Sequence, residues 1–377
     1  MSTTSYWLSE PHEPLRRVEL TGRPDVAVVG GGMTGCSCAL ALAEAGLRVR
    51  LYEAREIAGG ASGRNGGFAL RGGAAPYPVL AEAIGRDRTA ALWRWTETEL
   101  DRLAELAGDA FRRTGSLRIA ADGEERLELE QELAALREDG FAVEWADELA
   151  PPIRERYPAA ILHPEDGVLQ PARLVRGLAS RAVQAGVDIR EHTRVESPTD
   201  LEAEQVVVAT DGYPSGLLGA LEGLIVPTRG QIIATEPLDE RFFETPHYGR
   251  HGFDYWHQAA DGRLVAGGFR DVSLQDEFTA EEVTTPAVQT ALDEFAESLF
   301  GRKPRIDFRW AGIFGLVLDF LPVVGRVPGE ETLWVAGGYS GHGNVLGFAC
   351  GRLVAKAIQG QPDPLLDLFE PSRLVLA

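Results

Sequence analysis

The run DVAVVGGGMTG at residues 25–35 constrains this chain more than any other stretch. Apolar residues 26–29 read as a buried strand, the three glycines as a turn, and Met33 onward as a helix start. Gly30 permits the tight turn. Gly32 lets the backbone approach a pyrophosphate, and Gly35 lets the helix pack close to the strand. The N–H groups of the first helical turn, backed by the helix dipole, favour an anion there. A second strand, LRVRLYE at residues 47–53, ends in Glu53, eighteen residues after Gly35, where an acid suits ribose hydroxyls. Strand, turn, helix and acid in this order predict a dinucleotide-binding βαβ unit. They name a cofactor class and leave the dinucleotide and its chemistry open.

The same grammar returns at the other end. TLWVAGGYSGHGNVLG at residues 332–347 reads as strand, glycine turn and helix start, with the helix running to about residue 359. Between the two units, periodicity predicts helices over 85–108, 124–139, 173–185 and 285–300. Strands are expected at 116–120, 187–192, 231–235 and 263–267, and 205–212 reads as a buried strand running into a turn, with Asp261-Gly262 as a hairpin signal. AGGASGRNGG at residues 58–67 is too rich in glycine for a regular element, and suits backbone running close to something flat or bulky. The helix and two strands between 173 and 212 fit a parallel sheet resuming after an insertion. The stretch 225–270 is β-rich. The expected fold class is therefore α/β with an α+β second domain. Residues 1–80, 150–222 and 328–377 form a discontinuous dinucleotide-binding domain. Residues 81–149 and 223–327 form an interleaved, β-rich substrate or cap domain.

Composition removes several function classes. Thirty-seven basic against 57 acidic residues leave a net charge of -20, which disfavours nucleic acid and anionic membrane as partners. Lys303 and Lys356 are the lysines; the other basic side chains are arginines. Cys36, Cys38 and Cys350 form neither a disulfide framework nor a CxxC pair, so a reducing cytoplasm is expected. The first seventeen residues lack an apolar signal core. The greasiest stretch, 312–325, is too short to span a bilayer and is broken by Asp319 and Pro322. His247, His251 and His257 lack HExxH spacing, and no metal site is expected. GYSGH at 338–342 and GASGR at 60–64 lack the final glycine of GxSxG, which argues against a serine hydrolase.

A nicotinamide dehydrogenase has no need of a second glycine-rich helix start, whereas a flavoprotein can use one. The dipole of a helix beginning near Gly343 stabilises negative charge at the pyrimidine end of a reduced isoalloxazine ring. Gly338, Gly341 and Gly343 let backbone lie against such a ring. With VVGGGMTG at 28–35 in hand, the chain resembles the D-amino-acid oxidase superfamily of FAD-dependent oxidoreductases, which holds glycine oxidase, sarcosine oxidase and γ-glutamylputrescine oxidase. GASGRNGG at 60–67, ATDGY at 209–213, PTRGQ at 227–231 and GHGN at 341–344 are similar to the γ-glutamylputrescine oxidase branch. These motifs come in family order and span nearly the whole chain.

The resemblance implies a Rossmann-type FAD-binding domain of the glutathione-reductase-like kind, holding extended FAD. It places Gly30, Gly32, Met33, Thr34 and Gly35 at the pyrophosphate, Glu53 at the ribose, and Ala54 and Arg55 beside the adenosine. Ala61, Ser62, Arg64, Asn65, Gly66 and Gly67 run past the pyrophosphate towards the flavin. Val195 meets adenine, and Ala209 and Thr210 lie along the cofactor. Gly312, Gly338, Gly341, His342, Gly343, Asn344 and Val345 face the ring. Some relatives tether FAD through a cysteine in the C-terminal third or a histidine in the early glycine loop. Neither occurs here, so non-covalent FAD is expected. Sarcosine oxidase uses a lysine near the flavin on a strand similar to residues 263–267; none occurs here, which puts fast reaction with oxygen in doubt.

The implied reaction oxidises a small amine or amino acid to an imine by hydride transfer to flavin N5, followed by hydrolysis. The electron acceptor is O2 or another carrier, and the oligomeric state is open. The flavin carries the redox step, so no strong acid–base pair is required. Tyr255 and His257 share one face of an expected strand and Trp256 the other; one set lines a pocket while the other packs a core. His342, in the flavin-facing loop, changes charge near neutral pH or points outward. Arg229 steadies a substrate carboxylate through its bidentate fork, or pairs with an acid. Tyr339 is a pocket wall or a core residue. The alternatives are a flavin-dependent 2-hydroxy-acid dehydrogenase and a flavin-binding subunit of a larger oxidase complex.

Overall fold

The structure is a computed structural model that describes residues 4–361 and 363–375. The outermost ends of the expected segments 1–80 and 328–377, and residue 362, lie outside the described residues. A six-stranded sheet runs in the order Val323–Arg326, Leu333–Gly337, Gln205–Val208, Val26–Val29, Val49–Tyr52, Asp188–Arg190. Its strands pair in parallel except the first, which is antiparallel to Leu333–Gly337. Strands from both chain ends thus share one sheet, and their apolar runs are those of strands covered on both faces.

The helices that follow the two end strands, Met33–Glu44 and Val345–Ile358, cross on one face of this sheet. Small residues set how close they come. A Cβ on Gly351 would fall on the Thr34 carbonyl oxygen and the Ser37 hydroxyl, and Ser37 Oγ donates to Phe348 O at 2.6 Å. Cys36, Cys38 and Cys350 are buried free thiols in this helical layer.

A second, eight-stranded sheet runs Ile306–Leu316, Val226–Pro237, Arg263–Gly268, Asp254–Gln258, His247–Gly249, Ser116–Ala120, Ala159–His163, Glu144–Trp145. It is antiparallel apart from the pairing of His247–Gly249 with Ser116–Ala120. Helix Pro286–Phe300 starts on a proline, ends at left-handed Gly301 (φ 63°), and buries Val288, Leu292, Phe295 and Leu299 against it. Trp256 joins that core, so its neighbours Tyr255 and His257 face the opposite way, as strand alternation requires.

Two strands sit on the far side of the expected segment boundaries. Ala159–His163, from the segment 150–222, pairs in the eight-stranded sheet. Val323–Arg326, from 223–327, pairs in the six-stranded one. The glycine loop departs from expectation as well: it holds one 3-10 turn, Ala61–Gly63. A small sheet of Phe68–Ala69, Gly167–Leu169 and Phe111–Arg112 carries the chain on from that loop. No helix among the described residues is long and apolar enough to cross a membrane.

Candidate active site

Two cavities open on the carboxyl side of the parallel strands, where open α/β sheets place their ligands. The first lies on the turn between Val26–Val29 and the first helix. Gly30, Gly32, Met33 and Thr34 line it from that turn, and Glu53, Ala54 and Arg55 from the end of the next strand. Val195, Ala209 and Thr210 close it from two further crossings, and Ala61, Ser62 and Asn65 from the glycine loop. The turn is as tight as the glycines imply. Gly30 has φ +115°, and a Cβ there would lie 2.5 Å from the Ala209 carbonyl oxygen. Gly35 does not line the cavity; its missing Cβ makes room for the Gly30 carbonyl.

Glu53 is the knot of this end. Its carboxylate accepts from Gly31 N at 2.6 Å and from Arg55 N at 2.8 Å, which fixes the glycine turn against the second strand. Ser62 Oγ accepts from Met33 N at 2.8 Å, and no side chain of its own caps the helix at Gly32. Glu282 reaches over from the other layer. Arg55 pairs with it at 2.8 Å, Tyr213 donates its hydroxyl to it, and Arg64 lies 3.7 Å away. Arg55 and Tyr213 both line the first cavity.

The second cavity shares Ala61, Asn65, Phe314, Gly341 and Asn344 with the first, so the two form one continuous channel. Asn65 and Asn344 mark the junction. Each amide donates to the other's carbonyl oxygen, at 3.0 and 3.1 Å, and Asn344 also donates to Phe68 O. The early glycine loop is thereby tied to the start of the last helix. Thr34 and Tyr339 hydroxyls, 2.8 Å apart, make a second tie between the chain ends. Arg64, Gly66, Gly312, Gly341 and His342 line the second cavity, with Gly343 on the first. Gly67, Gly338 and Val345 line neither: Gly67 lies against Leu169 and Trp7, Gly338 against Val317, and Val345 is core.

Three substrate-side expectations are corrected. Arg229 does not face either cavity. It is buried in a two-pronged pair with Glu277, both contacts at 2.8 Å, with Gln231 on the same carboxylate. His257 supports the loop rather than the pocket. Its Nε2 donates to Gly66 O at 2.9 Å and its ring stacks over Trp7. His342 does face the cavity, yet burial pushes it down to about 4, so it carries no charge change near neutral pH. Tyr255 stands in the wall, and burial pushes its phenol well above the usual range.

Tyr248, Arg270, Phe314 and Phe320 complete the wall without having been singled out from sequence. Asp211 was passed over as well. Its carboxylate accepts from Gly338 N at 2.7 Å and Gly315 N at 3.0 Å, joining the last strand of each sheet at the channel. It lies inside the ATDGY motif, which was the one signal pointing to it.

Burial governs four of the histidines. His247 and His257, like His342, are pushed down to about 4, and His163 to about 3. The unfolded chain takes up these protons near pH 6.5 and the folded one only near pH 3–4. The unfolded state therefore binds more protons inside that window. Stability is full above about pH 6.5 and is lost as pH falls towards 4, with a slope approaching roughly 5 kcal/mol per pH unit for four such groups. Melting temperature recorded from pH 8 to 4.5 checks this; a flat curve down to pH 5 contradicts it.

The channel fits an extended dinucleotide. A glycine cradle with no room for a Cβ lies at one end beside one helix start, a second helix starts where the cavities meet, and the buried Thr210 hydroxyl, which lines the first cavity, has no partner among the described residues. Comparison with known proteins agrees. The family profile DAO, described as FAD dependent oxidoreductase, matches residues 25–357. The γ-glutamylputrescine oxidoreductase of Escherichia coli K12 is 29% identical over 96% of this chain and 90% of its own length. The glycine oxidase of Bacillus licheniformis is 28% identical over 90% and 94%. The crystal structure of glycine oxidase from Geobacillus kaustophilus superposes with a TM-score of 0.74 at 24% identity, covering 93% of this chain and 98% of that one.

Proposed function

The chain belongs to the DAO family of FAD-dependent oxidoreductases, and on that premise we propose that it oxidises a small amine or amino acid to an imine, which water then hydrolyses. The continuity of the two cavities, with one glycine-led helix start in the first and another where they meet, carries this reading. When bound, FAD supplies the two-electron acceptor that takes a hydride equivalent from the carbon bearing nitrogen. The protein's share is to bind, orient and exclude water.

In this reading the six-stranded layer is a glutathione-reductase-like dinucleotide domain. The Gly30 turn and the first N–H groups of helix Met33–Glu44 would hold the pyrophosphate, and Glu53 would hold the ribose. The Asn65–Asn344 pair keeps the glycine loop against the last helix, whose N-terminal dipole would stabilise negative charge on a reduced flavin. Tyr255 and Phe314 give the substrate an apolar seat that favours the neutral amine, the form able to release hydride. Neither cavity is lined by a cysteine, which supports non-covalent FAD. The three buried free thiols support a cytoplasmic setting.

The purified protein saturated with FAD is expected to show flavin absorbance, and acid precipitation is expected to leave a colourless pellet. Amines or amino acids are expected to bleach the flavin anaerobically; bleaching by 2-hydroxy acids alone overturns the proposal. No lysine lines either cavity. Reoxidation is therefore expected to be slower with air than with an artificial acceptor.

A further inference from the structure

The turn at residues 317–321 follows strand Ile306–Leu316 and presents two apolar side chains in different ways. Leu318 is 92% exposed, so the turn lies at the surface. Phe320 is 43% exposed and lines the second cavity, which puts its ring where that cavity meets solvent. Phe320 also has φ +58°, a left-handed conformation that glycine adopts freely and a bulky side chain rarely does.

The turn is pinned from two sides. Val317 N donates to Ser340 Oγ at 3.1 Å, and Ser340 itself lines the cavity. On the other side, Asp319 accepts from Arg373 Nε at 2.8 Å, and Arg373 Nη2 donates to Leu321 O at 2.9 Å. Phe320 N closes the turn on Val317 O at 3.1 Å. The surroundings thus hold Phe320 in a conformation that its side chain disfavours, a pattern that marks binding sites. A half-exposed ring recovers only part of that cost through its own burial, whereas a ligand group that covers the ring recovers more. Apolar side chains dominate the rest of the wall, among them Leu70, Ile232, Phe314 and Leu316, and no aspartate, glutamate or lysine lines it.

We infer that Phe320 is a specificity-determining residue at the mouth of the substrate cavity, its ring covering an apolar substituent of the substrate. The preferred amine then carries an extended apolar group, not a second ammonium, which would find no carboxylate on this wall. This rests on the amine-oxidising reading of the same site.

The test uses the FAD-loaded enzyme and the uncharged series acetamide, butyramide and hexanamide, titrated by perturbation of the flavin spectrum. The three probes differ only in apolar length. Binding is expected to tighten at least about tenfold across the series. Phe320→Gly is expected to remove most of that gain while FAD content and melting temperature stay close to wild type, because glycine relieves the strained backbone. Phe320→Leu is expected to keep part of the gain, and Leu318→Ser all of it. A wild type that shows no tightening with length, absence of binding included, overturns the inference. So does a Phe320→Gly variant that keeps the gain, or an equal loss in Leu318→Ser, which would assign the effect to the turn and not to the ring. Anaerobic bleaching separates the inference from the reading beneath it. Ethylamine bleaching the flavin as efficiently as hexylamine keeps amine oxidation and overturns the apolar seat. Bleaching by 2-hydroxy acids alone, with the length dependence lost in Phe320→Gly, keeps the apolar seat and overturns amine oxidation.

Discussion

Gly35→Ala is expected to weaken FAD binding at least tenfold and to lower the melting temperature, although it adds one methyl group far from any reacting atom. The new Cβ would overlap the Gly30 carbonyl oxygen and lie 3.0 Å from its carbon. Gly30 has nowhere to retreat, because its own missing Cβ faces the Ala209 carbonyl oxygen at 2.5 Å. The helix is blocked on its other side too, where Thr34 and Ser37 press on Gly351 of the last helix. Overpacking of this kind costs about 3 kcal/mol when relaxation is blocked, a large share of a stability of roughly 5–15 kcal/mol. The pyrophosphate turn has to open for the methyl to fit. Gly177→Ala is the control: it sits exposed in helix Pro171–Gln184 with nothing within 4 Å of an added Cβ. That change is expected to be neutral or to stabilise by about 0.5–1 kcal/mol. Flavin content and melting temperature, measured on both variants, settle the comparison. Wild-type values for Gly35→Ala would mean that the turn is looser than the structure shows.

What was legible in the sequence was what is local. Apolar runs and their periods located the strands at 26–29 and 205–208 and the helices at 86–107 and 286–300. Alternation alone separated Trp256 from Tyr255 and His257. Partners distant in sequence were not legible. His257 spends its donor on Gly66, 191 residues away, so sharing a face with Tyr255 does not make it a pocket residue. Arg229 is matched by Glu277, 48 residues away beyond the strands His247–Gly249, Asp254–Gln258 and Arg263–Gly268, and nothing in PTRGQ announces that acid. Arg270 had no motif to flag it; what distinguishes it is the lack of a carboxylate partner among the described residues, a property of the whole fold. The strand Ala159–His163 shows the same limit. No strand was expected there, and its place in the eight-stranded sheet depends on its register with Ser116–Ala120.

Asp211→Ala is expected to lower stability by about 2–6 kcal/mol, because two buried N–H groups lose their acceptor at about 1–3 kcal/mol each. Those groups belong to different layers. Gly315 lies in strand Ile306–Leu316 of the eight-stranded sheet, and Gly338 follows strand Leu333–Gly337 of the six-stranded one. One carboxylate therefore fastens the two layers to each other, beside Phe314 and Gly341, where the cavities meet. The backbone adds a second cost. Asp211 has φ +49°, a left-handed conformation that aspartate and asparagine tolerate better than alanine. Asp211→Asn keeps that tolerance and the side-chain shape but turns one acceptor oxygen into a donor that faces an N–H. The expected order of both melting temperature and FAD retention is therefore wild type, then asparagine, then alanine. Should asparagine and alanine fall equally, losing a single acceptor is enough to part the layers. Should alanine match wild type in both measurements, Asp211 is a bystander, and ties such as Asn65–Asn344, Thr34–Tyr339 and Arg55–Glu282 hold the channel.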